Sequence, residues 1–138
     1  MFESILIPVS LAEDSVGAVD VAAGLAERYS SAVTLLHVIE TLENVPFDEL
    51  QDFYSKLQSS AEAGISRLEH SLSERNIITS RAIIYGKRVE QIVQYAKKTQ
   101  IDLIVLNSHP IDPTRPQGWT SISHFVAILS PCPVLLIK

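Results

Sequence analysis

Residues 4–9 read Ser4-Ile5-Leu6-Ile7-Pro8-Val9. The run is apolar without alternation, the pattern of a strand covered on both faces, and Pro8, which has no N–H to give a ladder, marks its end. Such a strand belongs inside a parallel sheet, and the residues after it supply the crossover. Ala18, Ala22, Leu25 and Tyr29 recur at helical spacing, which predicts an amphipathic helix over about 15–30. The same alternation continues along the chain. Ala-Val-Thr-Leu-Leu-His-Val-Ile at 32–39 is a second strand. Pro46 and Asp48 open a long second helix, with an apolar face of Leu50, Phe53, Leu57, Ala61, Gly64 with Ile65, Leu68 and Leu72 running to about Glu74. The rings of Phe47, Phe53 and Tyr54 near its start are expected to complete the core. A third strand at about 78–85 ends on Gly86, Val89, Ile92, Val93 and Ala96 mark a third helix, and 102–106 is a fourth buried strand. Ile122, Phe125, Val126 and Leu129 give a fourth helix, Ser130-Pro131-Cys132-Pro133 stops it, and 134–137 is the last strand. Five strands alternating with four helices predict an α/β fold, an open doubly wound five-stranded parallel sheet in one domain over 1–138. Any ligand then belongs at the carboxyl ends of the central strands, near Val9, Ile39 and Leu106.

Composition narrows the partners. The 138 residues carry 11 Lys+Arg against 16 Asp+Glu, a formal net charge of −5, and are 46% hydrophobic. A duplex-binding surface needs clustered Lys and Arg, so nucleic acid is not an expected partner. No stretch approaches the roughly 18 consecutive apolar residues of a spanning helix, and Met-Phe-Glu-Ser lacks the basic region of a signal peptide, so the expected address is the cytoplasm and no membrane is implied. The single cysteine, Cys132, forms no internal disulfide and suits a reducing compartment. Placed between two prolines, it reads as an inert structural thiol.

The strongest functional signal is the aperiodic stretch 107–119, with Pro110, Pro113 and Pro116. Loops of about 12–15 residues without secondary structure are uncommon and often functional. It leads to Thr120 and Ser121, where a helix begins, and there a hydroxyl serves either as an N-cap or, with the free N–H groups of the first turn, as part of an anion site. The four histidines are too scattered for a zinc site. His37, within a strand, reads as a hydrogen-bonded structural residue, His70 as solvated and His124 as packed or exposed, while His109, just beyond the fourth strand, is placed for a ligand contact. Lys87 and Arg88 could help neutralise a phosphate but read first as a solvated turn. There is no Gly-x-Ser-x-Gly elbow and no Walker-type Gly-Lys-Ser/Thr, so no catalytic residue and no metal site is expected. A phospho-acceptor receiver would need acidic residues after the first strand and an aspartate ending the third, where this chain has Ser10 and Tyr85-Gly86.

These residues resemble the universal stress protein family over essentially the whole chain. Ile5-Leu6-Ile7-Pro8-Val9 and Val33-Thr34-Leu35-Leu36-His37-Val38 are similar to its first two strands, and Gly86 with Val89-Glu90-Gln91-Ile92-Val93 and Tyr95-Ala96 to its third turn and helix. Asp102-Leu103-Ile104-Val105-Leu106 with Ser108-His109, and Cys132-Pro133-Val134-Leu135-Leu136-Ile137, are similar to its most recognisable segments. The resemblance implies an adenine nucleotide alpha hydrolase-like sheet with strand order 3-2-1-4-5. It also implies a stress-response regulator that is not an enzyme, and a homodimer paired through the last strand, Pro133, Val134, Leu135, Leu136 and Ile137.

Members that bind ATP carry Gly, two residues, Gly, nine residues, then Gly and Ser or Thr after the fourth strand. Laid on this chain without a gap, that pattern falls on Asn107, Pro110, Ile111 to Trp119, Thr120 and Ser121, so length and register survive while all three glycines are gone. The chain's five glycines stand at 17, 24, 64, 86 and 118. Proline at 110 removes a donor and Thr120 puts a β-branched side chain where phosphate passes near bare backbone. Ser10 stands where nucleotide-binding members usually have an aspartate. The implied expectation is a regulatory homodimer, with an unidentified protein partner possible, that does not bind ATP tightly. The alternative is an ATP or AMP sensor using Pro8, Val9, Ser10, Val38, Asn107, His109, Arg115, Ser121 and Ile122.

Overall fold

The protein is described from a computed structural model over residues 1–11, 15–108, 114 and 121–138. The run at 4–9 folds as strand β1, Ser4–Pro8, and Ile5, Leu6 and Ile7 within it have no solvent exposure. Its pairing explains why. β1 lies between β2, Ala32–Glu40, and β4, Leu103–Asn107, so that Ile5 stands opposite both Val33 and Leu103. β3, Thr79–Gly86, adds to the outer edge of β2, and β5, Val134–Ile137, to the outer edge of β4. All pairs are parallel and the order is β3-β2-β1-β4-β5, the doubly wound sheet that the sequence pattern predicts in the 3-2-1-4-5 order that the resemblance implies. The Asp102 carboxylate fastens one end of it, accepting from the backbone N–H groups of Glu3 and Ser4 at 2.8 and 3.1 Å.

Strand alternation splits the core into two layers. Ile5, Ile7, Val33 and Leu35 pack with helices α1, Val16–Tyr29, and α2, Gln51–Glu74. Leu6, Leu36, Val38 and Ile104 pack on the other side with α3, Arg88–Lys98, and α4, Ile122–Leu129. Among the described residues no helix is long and apolar enough to cross a membrane.

The helices are where the structure corrects the sequence. α1 buries Ala18, Val19, Ala22, Ala23 and Ala26, leaving Leu25 half-buried and Tyr29 exposed with its ring edge-on to Phe2. An alanine stripe allows the backbone to lie close to the sheet, and this outcompetes burial of the larger side chains one position round. On α2 the buried row is Tyr54, Ala61, Gly64, Ile65 and Leu72, whereas Phe53 and Leu57 are exposed. Tyr54 sets that register: its hydroxyl accepts from the Leu42 N–H at 2.9 Å, and its ring stacks on Phe47 at 4.9 Å and meets Tyr85 edge-on at 5.8 Å. The expectation of three core rings therefore holds for Tyr54 alone, since Phe47 and Phe53 stay half exposed as a cap over it. On α4, Val126 is buried and Phe125 and Leu129 are exposed, because this two-turn helix lies over the margin of the sheet.

Gly86 ends β3 with φ at +145°, and a Cβ there would come within 2.8 Å of the Gln91 side chain. Gly24 is exposed in α1, with nothing within 4 Å of the same position. Gly86→Ala is therefore expected to lower stability by about 1–3 kcal/mol. Gly24→Ala is expected to raise it by about 0.5–1 kcal/mol, through helix propensity alone. Urea denaturation of the two variants beside the parent checks both signs.

Candidate functional site

Where β1, β2 and β4 end, the crossovers leave in opposite directions and a cleft opens between them. Pro8, Val9 and Ser10 form one wall, Leu36 and Val38 of β2 with Leu106 of β4 the apolar floor, and Asn107, Ser121, Ile122 and Ser123 the wall facing α4. Ile92 and Arg88 of α3 close the remaining side and Ser15 the rim above α1, leaving a cavity of about 90 Å³. That volume is well under the roughly 300–1,000 Å³ of ordinary ligand pockets. With its apolar floor of Leu36, Val38 and Leu106, it suits a single flat ring.

Each wall is fixed by a local bond. The His37 ring donates from Nδ1 to the Val9 carbonyl at 2.9 Å, and the Val9 N–H donates to the Leu36 carbonyl at 2.8 Å, so the end of β1 is held on both sides. His37 is thus the structural residue its place in a strand predicts. The Ser15 hydroxyl donates to the Ser10 carbonyl at 3.3 Å and accepts from the Ser10 N–H at 3.4 Å, pinning the turn out of β1 to the start of α1. Ser121 is the N-cap of α4: its Oγ accepts from the His124 N–H at 3.2 Å and lies 3.0 Å from the Ser123 hydroxyl. One of the helix's free donors is thereby already satisfied by the protein itself.

Of the nine residues singled out as nucleotide contacts, Pro8, Val9, Ser10, Val38, Asn107, Ser121 and Ile122 line this one cleft. His109 and Arg115 lie outside the described residues, as do Pro110 and Thr120. Ile39, named with Val9 and Leu106 as a strand end near the ligand, is not at the cleft, since alternation turns Leu36 and Val38 toward α3 and α4 and Ile39 to the opposite face. Arg88 is the residue the sequence undervalued. The solvated-turn reading fits Lys87, whose Nζ sits 3.0 Å from Glu43 Oε1; that hydrogen bond, with the Glu43 charge, raises the ammonium's pKa above the ordinary lysine value. Arg88 instead lines the cleft, its side chain about one-third exposed and its Nε 3.8 Å from Glu40 Oε1. The sequence offers both Lys87 and Arg88 for a phosphate and does not tell them apart, because the choice depends on how α3 lies against β2 and α4.

The remaining candidates sit elsewhere. His70 pairs with Glu74 at 3.1 Å on the exposed face of α2, His124 lies against Phe125, and Cys132 is a half-buried free thiol 3.5 Å from the Ser130 hydroxyl. Among the described residues no group of three or more His, Cys, Asp or Glu is placed to hold a metal ion.

The model of the universal stress protein family matches residues 1–138. The chain belongs to that family. It is 30% identical to the universal stress protein Sll1654 of Synechocystis, over 99% of this chain and 86% of that one. It is 23% identical to the universal stress protein YxiE of Bacillus subtilis, over the full length of both. Among solved structures the fold is that of the universal stress protein UspA from Lactobacillus plantarum, with a TM-score of 0.78 at 24% identity over 99% and 98% of the two chains. It is likewise that of a family protein from Archaeoglobus fulgidus in complex with dAMP (TM-score 0.71, 15% identity, 99% and 98%). A third, from Arabidopsis thaliana with AMP bound, gives a TM-score of 0.70 at 18% identity over 98% and 90%.

Because Ser121 caps α4 in this universal stress protein, Ser121→Ala removes an acceptor from the first turn. A loss of about 1 kcal/mol in stability is expected, readable by chemical denaturation in the absence of any ligand.

Proposed function

We propose that this universal stress protein is a non-catalytic regulatory homodimer of the cytoplasm that does not bind ATP tightly. The observation that carries the reading is the α4 N-terminus. Its Ser121 hydroxyl is engaged by the His124 N–H, and the chain leading to it has Asn107, Pro110 and Thr120 where a phosphate loop needs glycine. The only ionisable side chain among the described cleft residues is Arg88, which supplies no general base, so nothing there pairs a nucleophile with a proton acceptor. A lone thiol, Cys132, suits a reducing compartment.

A second reading is favoured by the seven candidate residues that meet in one cleft and by the AMP and dAMP bound to two relatives of the same fold. On it, the cleft takes the nucleoside end of an adenine nucleotide, with Val38 and Leu36 against the ring and Ser10 in place of a longer acidic side chain. The two readings share one experiment, titration calorimetry of nucleotide-free protein with ATP and with AMP. ATP is expected to bind with a Kd of roughly 1 mM or weaker, a free energy of about −4 kcal/mol, and micromolar ATP binding would overturn the proposal.

Support for the homodimer lies in the contrast between the two sheet edges. β3 carries Arg81, tied to Glu69 and Ser66, so its free edge is marked by charge. β5 is Val134-Leu135-Leu136-Ile137, paired on one side only, with Leu135 exposed and Phe125, Ile128 and Leu129 exposed on the α4 that packs beside it. An apolar, uncharged edge invites strand pairing, and a second copy of this chain across a two-fold axis covers it. Sedimentation analysis is expected to give a particle of twice the 15.2 kDa chain mass, and Leu135→Arg to shift it to the monomer.

A further inference from the structure

Among the described residues the charge at the cleft comes from α3, not from the strand end and helix start that flank the glycine loop of ATP-binding relatives. Of the described side chains lining it, Arg88 alone carries charge; with Ile122 it also lines a shallower neighbouring depression bordered by Glu40, Thr41 and Lys87. Its Nε is 3.8 Å from the Glu40 carboxylate, beyond good hydrogen-bond distance. The guanidinium therefore keeps most of its donor capacity, and an arginine is the side chain best shaped to grip a planar or tetrahedral oxyanion with two parallel donors. The rest of the cleft is apolar floor with serine hydroxyls and Asn107 at the rim. An apolar slot about one ring in size with a single cation at its edge is complementary to a ring-bearing ligand with one small anionic group.

We propose that Arg88 is the phosphate-reading residue of the cleft, selecting a nucleoside monophosphate over both the uncharged nucleoside and the triphosphate. This rests on the reading that the cleft takes the nucleoside end of an adenine nucleotide. One guanidinium, partly neutralised by Glu40, offsets the charge of a monophosphate. It leaves the further phosphates of a triphosphate facing the neighbouring depression, where Glu40, Glu43 and Glu90 outnumber Lys87, which is itself paired with Glu43. Glu40 is the competitor for the same guanidinium, and its removal frees Arg88 for the ligand.

The test is the affinity of the intact protein for adenosine, AMP and ATP, measured for the parent, Arg88→Gln, Arg88→Lys and Glu40→Gln. The parent is expected to favour AMP over adenosine by about fivefold, the worth of one charge-assisted contact less the cost of ordering Arg88 and the competition from Glu40. That preference is expected to fall to about one in Arg88→Gln, to be recovered in part by Arg88→Lys, and to rise above the parent value in Glu40→Gln. Added salt is expected to weaken AMP and leave adenosine unmoved. Adenosine and AMP binding equally to the parent overturns the role of Arg88 while leaving the cleft as a nucleoside site, and a preference that survives Arg88→Gln does the same. ATP binding more tightly than AMP overturns the selection, and a parent that binds neither adenosine nor AMP at millimolar concentration removes both the inference and the reading beneath it.

Discussion

Strand β1 has a hydrogen-bonded neighbour on each edge and a helical layer on each face, and its three central side chains are wholly buried. Everything else in the molecule is arranged around that enclosure. A five-residue strand walled in on four sides must be apolar throughout and must give its backbone groups to β2 and β4 alike. The chain therefore leaves β1 in one direction to build β2 and β3, and crosses back to lay β4 along its other edge. Where the two directions part, the connections cannot cover the strand ends, and the cleft forms there for topological reasons before any side chain is considered. Asp102 at one end and His37 at the other hold β1 in place, the first through the backbone of Glu3 and Ser4 and the second through Val9.

The sheet could be read from the sequence because burial on both faces leaves a mark that survives without neighbours: continuous runs rich in Ile, Leu and Val, of strand length, ended by proline or glycine. The cleft residues next to those runs could be read for the same reason, since Pro8, Val9, Ser10 and Asn107 are fixed to strand ends by chain connectivity alone. Helix faces were less legible. In α1 almost every position is small or apolar, so several faces satisfy a 3.6-residue period, and only the depth of packing on the sheet selects Ala23 and Ala26 over Leu25 and Tyr29. In α2 the face is chosen by Tyr54, which is held by the Leu42 N–H and by the rings of Phe47 and Tyr85, contacts that join residues up to 31 positions apart in the sequence. Arg88 is the extreme of this kind: its neighbours in the cleft come from β1, β4 and α4, and no local pattern encodes them.

An anion entering the cleft would meet the start of α4 or the Arg88 side chain of α3, and the physics of the two is unequal. A glycine-rich loop offers several backbone N–H groups at once, fixed in direction and already desolvated, so a phosphate bound there loses little to reorganisation. Capping by Ser121 consumes part of that capacity at α4, since the His124 N–H is already engaged. An arginine is a different instrument. Hydrogen bonds to charged groups contribute about 1.5–3 kcal/mol, while ordering a long side chain costs up to about 2 kcal/mol. The exposed Glu40 carboxylate adds a competing attraction of at most about 1 kcal/mol.

At the middle of each range the balance of those terms is about 1 kcal/mol, which would separate a phosphorylated from an unphosphorylated nucleoside by only several-fold. A site of this kind does not hoard ligand: occupancy follows concentration, exchange is fast, and the bound state is poised rather than committed. Such behaviour suits a regulatory protein better than a catalyst, which must hold its substrate in one geometry through a reaction. The same weak grip places the burden of any response on what the cleft walls do when occupied. One cleft wall, α4, carries Ile122 and Ser123 with its N-cap Ser121 on the cleft side and Phe125, Ile128 and Leu129 on the exposed side, beside β5, against which it packs. A change at the first turn of this eight-residue helix has barely two turns in which to be absorbed. The cleft and the exposed apolar face beside β5 are thus separated by no more than one short helix.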